Sequence, residues 1–179
     1  MNLTEIKKDC AVKQKKGLHF ILASIIIWIA VLFVHISSLP ILTKNLFTFC
    51  CTAPLLPISY LISKIIKVDF QNKENPLTNL GVLFSVNQIL YLLIAMWIYP
   101  TIPEKMLMVI AMIFGAHLLP YSWLYSSKSY MFFSILIPLM ALIIGLKAEP
   151  FILAATMIIV EIIFSICLII ENKRLLSTL

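Results

Sequence analysis

Charge is scarce in this 179-residue sequence. Asp, Glu, Lys and Arg make up 12% of it, about half the share found in an ordinary soluble chain, while 61% of the residues are hydrophobic. Too few polar side chains remain to cover a soluble domain, and the mean hydropathy of +1.03 excludes an intrinsically disordered chain. Glycine is also rare, with 4 residues, which excludes collagen and provides no glycine-rich phosphate loop. The four cysteines form no disulfide framework: Cys10 lies in a basic stretch, Cys50 and Cys51 are adjacent, and Cys167 stands alone in an apolar run. No CxxC or Cys/His metal spacing occurs among them. HExxH, GxSxG, clustered Asp motifs and paired carboxylates are missing as well. What remains is a polytopic membrane protein.

Length converts this into a count. A bilayer core of about 30 Å takes about 20 apolar residues in helix. Six stretches meet that requirement, at residues 18–36, 42–63, 80–98, 106–124, 130–146 and 151–170. Between them lie turn and polar signals, among them Ser37-Ser38-Leu39-Pro40, Asn75-Pro76, Ile102-Pro103 and Glu149-Pro150. Pro103 and Pro150 suit helix entries, where a first-turn proline has no intrahelical bond to lose. The expected architecture is all-α, a bundle of six transmembrane helices in one integral membrane domain, preceded by a basic tail at residues 1–17.

Six spans put both termini on one side. Of 14 basic residues, only Lys44, Lys105 and Lys147 fall on the opposite side, which places the termini in the cytoplasm and the protein in the cell membrane. The first span is longer than a signal-peptide core and no Ala-x-Ala site follows it, so it is read as retained. The net charge of +6 sits in runs flanking the spans, where orientation and anionic headgroups account for it and nucleic acid does not. The lipid bilayer is the expected partner. A homodimer is compatible with six short spans but not dictated by them.

In so apolar a chain, polar groups at mid-bilayer are the informative ones, because a charged side chain there costs about 2.5–3.5 kcal/mol on insertion scales. Seven of the eight acidic residues lie in tails and loops, and Glu161 alone lies deep in a span. It is either a proton-carrying or cation-binding carboxyl, or a protonated Glu bonded between helices. His117 lies at similar depth, with Tyr121 four residues on along the same helical face, and either shuttles a proton or makes an interhelical hydrogen bond. Asn87 and Gln88 sit mid-span but point about 100° apart, so one can face a cavity while the other bonds a neighbour. Pro54 and Pro57, three apart in the second span, and Pro120 and Pro138 are expected to interrupt helices. Such interruptions at the midplane mark substrate sites in some transporters and simple kinks elsewhere.

The run Gly115-Ala116-His117-Leu118-Leu119-Pro120-Tyr121-Ser122-Trp123-Leu124-Tyr125, followed by Ser127-Lys128-Ser129-Tyr130, resembles a family of small, mostly Gram-positive bacterial multi-span membrane proteins of unknown function. Lys15-Lys16-Gly17 and Lys73-Glu74-Asn75-Pro76-Leu77 are similar too. The resemblance implies an integral membrane protein and supplies no activity, cofactor or catalytic residue. The residues themselves point to a small transporter or permease-like protein with a mid-membrane polar site at Glu161, His117, Asn87, Gln88 and Tyr121. Its expected ligand is a small solute or proton. An intramembrane lipid-modifying enzyme and an accessory subunit without a catalytic site are the alternatives. No metal set is assigned.

Overall fold

Helices long and apolar enough to cross a membrane occur six times in the computed structural model, which describes residues 2–177. The chain is all-α, with no strand among the described residues. Helix α1 spans Leu3–Lys13, α2 Leu18–Ile36, α3 Ile41–Thr52, α4 Leu55–Ile65, α5 Leu77–Thr101, α6 Met106–Ala116, α7 Leu119–Leu124, α8 Lys128–Lys147 and α9 Pro150–Leu176. The second span is the broken pair α3–α4, and the fourth is the pair α6–α7.

The observed helices run past the apolar stretches at several ends because polar residues cap them. Ser127 accepts a hydrogen bond from the Tyr130 amide at the start of α8, and Pro150 opens α9. Of the four prolines expected to interrupt helices, two lie at breaks. Pro54 precedes α4 at the end of α3, and Pro120 stands in the first turn of α7. Pro57 and Pro138 instead lie within α4 and α8. Pro57 occupies the first turn of its helix, where no amide bond is required. The ring of Pro138 is clasped by α6, since a Cβ on Gly115 would fall 2.5 Å from its Cδ.

Four helices make the core. Antiparallel α2 and α9 pack along their length, as do α6 and α8, and α8 and α9 join the two pairs. Phe164, Met157, Leu168, Leu153 and Ile137 fill the space between them. The α3–α4 span leans on α2, and α5 leans on α6 and α7. Most of the α5 surface is apolar and turned outward, as at Leu83, Ile89, Leu93 and Trp97.

Of the expected basic tail at residues 1–17, the described residues 2–17 are folded onto the bundle. A capping box between Asn2 and Glu5 starts α1, and Cys10 and Ala11 are buried against the bundle. The link into α2 is a left-handed turn, with φ of 46° at Lys15, 51° at Lys16 and 71° at Gly17. Only glycine suits its last position, because a Cβ there would also lie 2.9 Å from the Tyr130 hydroxyl oxygen.

Candidate functional site

Cavities form where the packed helices meet the two that lean on them. A central cavity of about 300 Å³ lies between α2, α3–α4, α5 and α6, and Ser24, Trp28, Thr48 and Gln88 are on its wall. A smaller one of about 160 Å³ continues toward the termini and is lined by Ser85, Gln88, His117 and Tyr121. The two share Leu55, Leu56, Gln88, Ile89 and Phe114, so they are lobes of one space. A third cavity of about 330 Å³ opens at the end of the bundle away from the termini. His35 lines it and is hydrogen-bonded across 3.0 Å to Thr48 of the central cavity. The three therefore lie in series, with the His35–Thr48 contact between the first and second.

Glu161 is fully buried on α9 and faces α2, not the cavity itself. Its Oε2 lies 2.6 Å from the Ser24 hydroxyl oxygen, which in turn lies 2.7 Å from the Ile21 carbonyl. The single Ser24 proton cannot serve both acceptors. Both contacts are hydrogen bonds at once when Glu161 carries a proton and donates to Ser24, which then donates to Ile21. The other carboxyl oxygen and the Ser165 hydroxyl one turn on have no protein partner.

His117 sits at the break between α6 and α7. The Leu118 amide donates to the Gly115 carbonyl, one residue short of the α-helical pattern, which leaves the Phe114 carbonyl to accept from His117 Nδ1. That bond requires Nδ1 to carry a proton, and in the neutral ring Nε2 is then the acceptor. Tyr121 donates to the Gly81 carbonyl at 2.9 Å and meets the Ser85 hydroxyl at 2.7 Å, so it ties α7 to α5. Gln88, His117 and Tyr121 thus share one lobe, and Glu161 is reached from the neighbouring lobe through Ser24. Asn87 is not brought to the cavity: it is exposed on the outer face of α5 and donates to Tyr91 of its own helix at 2.9 Å.

The end carrying the termini is closed by polar contacts that hydropathy does not reveal. Tyr125 donates to Gln14, and Tyr130 donates to the Lys16 carbonyl. The Lys16 ammonium, 8% exposed, pairs at 2.7 Å with Glu171, which also accepts from Ser127 and from the Ser129 amide and hydroxyl. Outside these, Asp9 holds α1 to the α4–α5 loop through Asn72 and Asn75. Burial raises the Asp9 carboxyl, but its bonds from Asn75, Lys13 and Asn72 outweigh that and hold it below its ordinary value. Burial, with the Asp9 charge as a smaller cause, pushes the neighbouring Cys10 thiol up to about 11.

Residues 3–171 match the model of a family described as a family of unknown function, DUF7010. The chain belongs to that family. No curated protein and no solved structure matches it. Nearly the whole DUF7010 match lies within the helices described above, so it takes in α1 and its seal as well as the six long helices. One buried polar side chain of this DUF7010 member, His19, stands apart from the three cavities. His19 is buried beside Phe20 and Phe70, with both ring nitrogens unpartnered. Among the described residues no three His, Cys, Asp or Glu side chains gather to hold a metal ion.

Proposed function

We propose that this protein is a small permease-like protein of the cell membrane, in which the three cavities form the path of a small solute and Glu161 is the proton-carrying group. The observation that carries this reading is Ser24, which lines the central cavity and whose hydroxyl oxygen meets the Glu161 carboxyl. A titratable group one hydroxyl away from the path can exchange its proton as the path fills, without obstructing it. One end is open and the other is sealed by the Lys16–Glu171 pair, an arrangement suited to alternating access. The lysine distribution puts the sealed end, with both termini, in the cytoplasm.

Proteoliposomes loaded with a pH-sensitive dye test this. Adding a transported solute from a panel of small polar molecules should move protons in the wild type. Glu161→Gln keeps a partner for Ser24 and should abolish that proton movement. Equal proton movement in the variant would remove Glu161 from the mechanism, and no solute-driven flux in any panel would sink the permease reading.

One observation favours the lipid-modifying alternative. Leu56 and Ile89, 61% and 62% exposed, both line the central cavity, which therefore opens sideways between α4 and α5. A lipid entering there would meet His117 Nε2 as a base. Turnover of a radiolabelled phospholipid that is lost in His117→Gln would decide for it.

A further inference from the structure

The end of the bundle away from the termini carries five charged residues: Lys44, Glu104, Lys105, Lys147 and Glu149. Four of them, all but Lys147, line the cavity at that end. Charged side chains so close together normally neutralise each other, yet none of these four enters an ion pair among the described residues. Each lysine is instead steadied by a backbone carbonyl: Lys44 donates to His35 at 3.0 Å and Lys105 to Gly145 at 2.8 Å. An ammonium so held keeps nearly its full charge for a partner in the cavity.

The backbone repeats the pattern. Ile41, Lys105 and Pro150 on the cavity wall stand at or next to the starts of α3, α6 and α9, whose unpaired amides favour an anion. Gly145 and Ala148 stand at the end of α8, and Glu149 follows, a place that favours a cation. Two ammonium groups and three helix starts therefore favour an anion, while two carboxylates and two helix ends, that of α8 and that of α2 at His35, favour a cation. The formal charge of the four side chains is zero.

We infer that this cavity binds a zwitterion, a molecule whose ammonium and anionic groups are separated by a few bonds. Its anionic end is taken by Lys44 and Lys105, and its ammonium by Glu104 and Glu149. A singly charged molecule of either sign leaves two opposing charges unsatisfied. Two sources offer this chemistry, a free amino acid and the phosphoethanolamine headgroup of a lipid. The cavity volume of about 330 Å³ has room for either. This deepens the permease reading by naming the solute class and rests on that reading for its purpose, although binding itself is independent of transport.

Purified full-length protein in nanodiscs of phosphatidylglycerol alone should be titrated calorimetrically with alanine, N-acetylalanine and alaninamide. A parallel arm measures retention of phosphatidylethanolamine by native mass spectrometry from mixed nanodiscs. Alanine binding about tenfold or more tighter than either blocked form, or selective retention of phosphatidylethanolamine, supports the inference and identifies the source. Glu149→Gln and Lys44→Gln, checked for unchanged thermal unfolding, should each weaken the preferred ligand about tenfold. Should one variant misfold, the other serves alone. If the blocked forms bind as well as alanine and phosphatidylethanolamine is not retained, the inference is overturned. It is also overturned if both well-folded variants bind as the wild type does. Alanine binding without flux would sink only the permease reading, and flux that survives loss of binding in Glu149→Gln would sink only this one.

Discussion

In the most apolar 18 residues of the first, fourth and sixth spans, 50%, 44% and 44% are buried within the protein, against 17% in α3–α4 and 6% in α5. Hydropathy does not explain the contrast, since the fourth span and α5 have nearly equal values of 1.7 and 1.8. Close backbone approach does. Gly115 lets α6 close on Ile137 and Pro138 of α8, whereas α5 meets its neighbours through larger side chains such as Phe84 and Tyr121. In lipid, where no hydrophobic force drives helices together, small residues and hydrogen bonds decide which pairs pack. The cavities follow the boundary between the packed and the leaning helices. On the proposed permease reading, the path lies where the least packing has to be disturbed for it to open and close.

The comparison can be broken most severely at Gly115. Gly115→Leu would place its Cβ within 2.5 Å of Pro138 and 2.7 Å of Ile137, and should cost about 3 kcal/mol in a detergent unfolding titration. A well-tolerated leucine would show that α6 and α8 are not the rigid pair described. Next in size is Lys16→Met, which strips Glu171 of its cation. Because Glu171 keeps 20% exposure, about 2 kcal/mol is expected, below the figure for a fully buried pair. Helix α8 should then show faster hydrogen exchange at its Ser127–Ser129 start, with α5 unaffected.

A smaller effect is expected at Asp9. Its carboxyl is held below its ordinary value of 3.8, so the stability it gives α1 is present in full above that value and is lost as pH falls through the lowered one. Exchange in residues 3–13 should accelerate selectively below pH 3.8, and Asp9→Asn should show the same acceleration at neutral pH. Identical exchange in the two proteins would mean that α1 is held by its apolar contacts alone. The smallest effect belongs to α5. In Gly81→Ala the new Cβ would lie 3.4 Å from Leu124, an ordinary contact, and stability should move by no more than about 0.5 kcal/mol. A loss as large as at Gly115 would erase the distinction between the two regions.

The six spans were legible because insertion into lipid is governed by local apolar length, which a sequence displays directly. The break at Pro54 was legible for a similarly local reason. Pro57 and Pro138 were misleading, because whether a proline interrupts a helix depends on its place in the first turn or on a neighbour that clasps the ring. The depth of Glu161 could be counted, but its partner Ser24 lies 137 residues away and only tertiary packing joins them. Adjacency alone showed that Asn87 and Gln88 diverge, without showing which one faces inward. Lys44 and Lys105 were legible only as marks of orientation, and Glu104 and Glu149 only as loop residues, since their convergence depends on three separate connections meeting at one end.

The seating of α1 has a consequence for how the molecule is made. Its partners are Asn72 and Asn75 in the α4–α5 loop, Tyr125 after α7 and, through the turn that follows it, Glu171 and Asn172 near the end of α9. Translation delivers α1 before any of them. The segment that emerges early can therefore complete its contacts only once the last helix is in place, because Lys15 and Lys16 have partners on α9. A chain stalled before α9 would leave the Lys16 ammonium without its carboxylate, and an exposed α1 would mark the unfinished molecule.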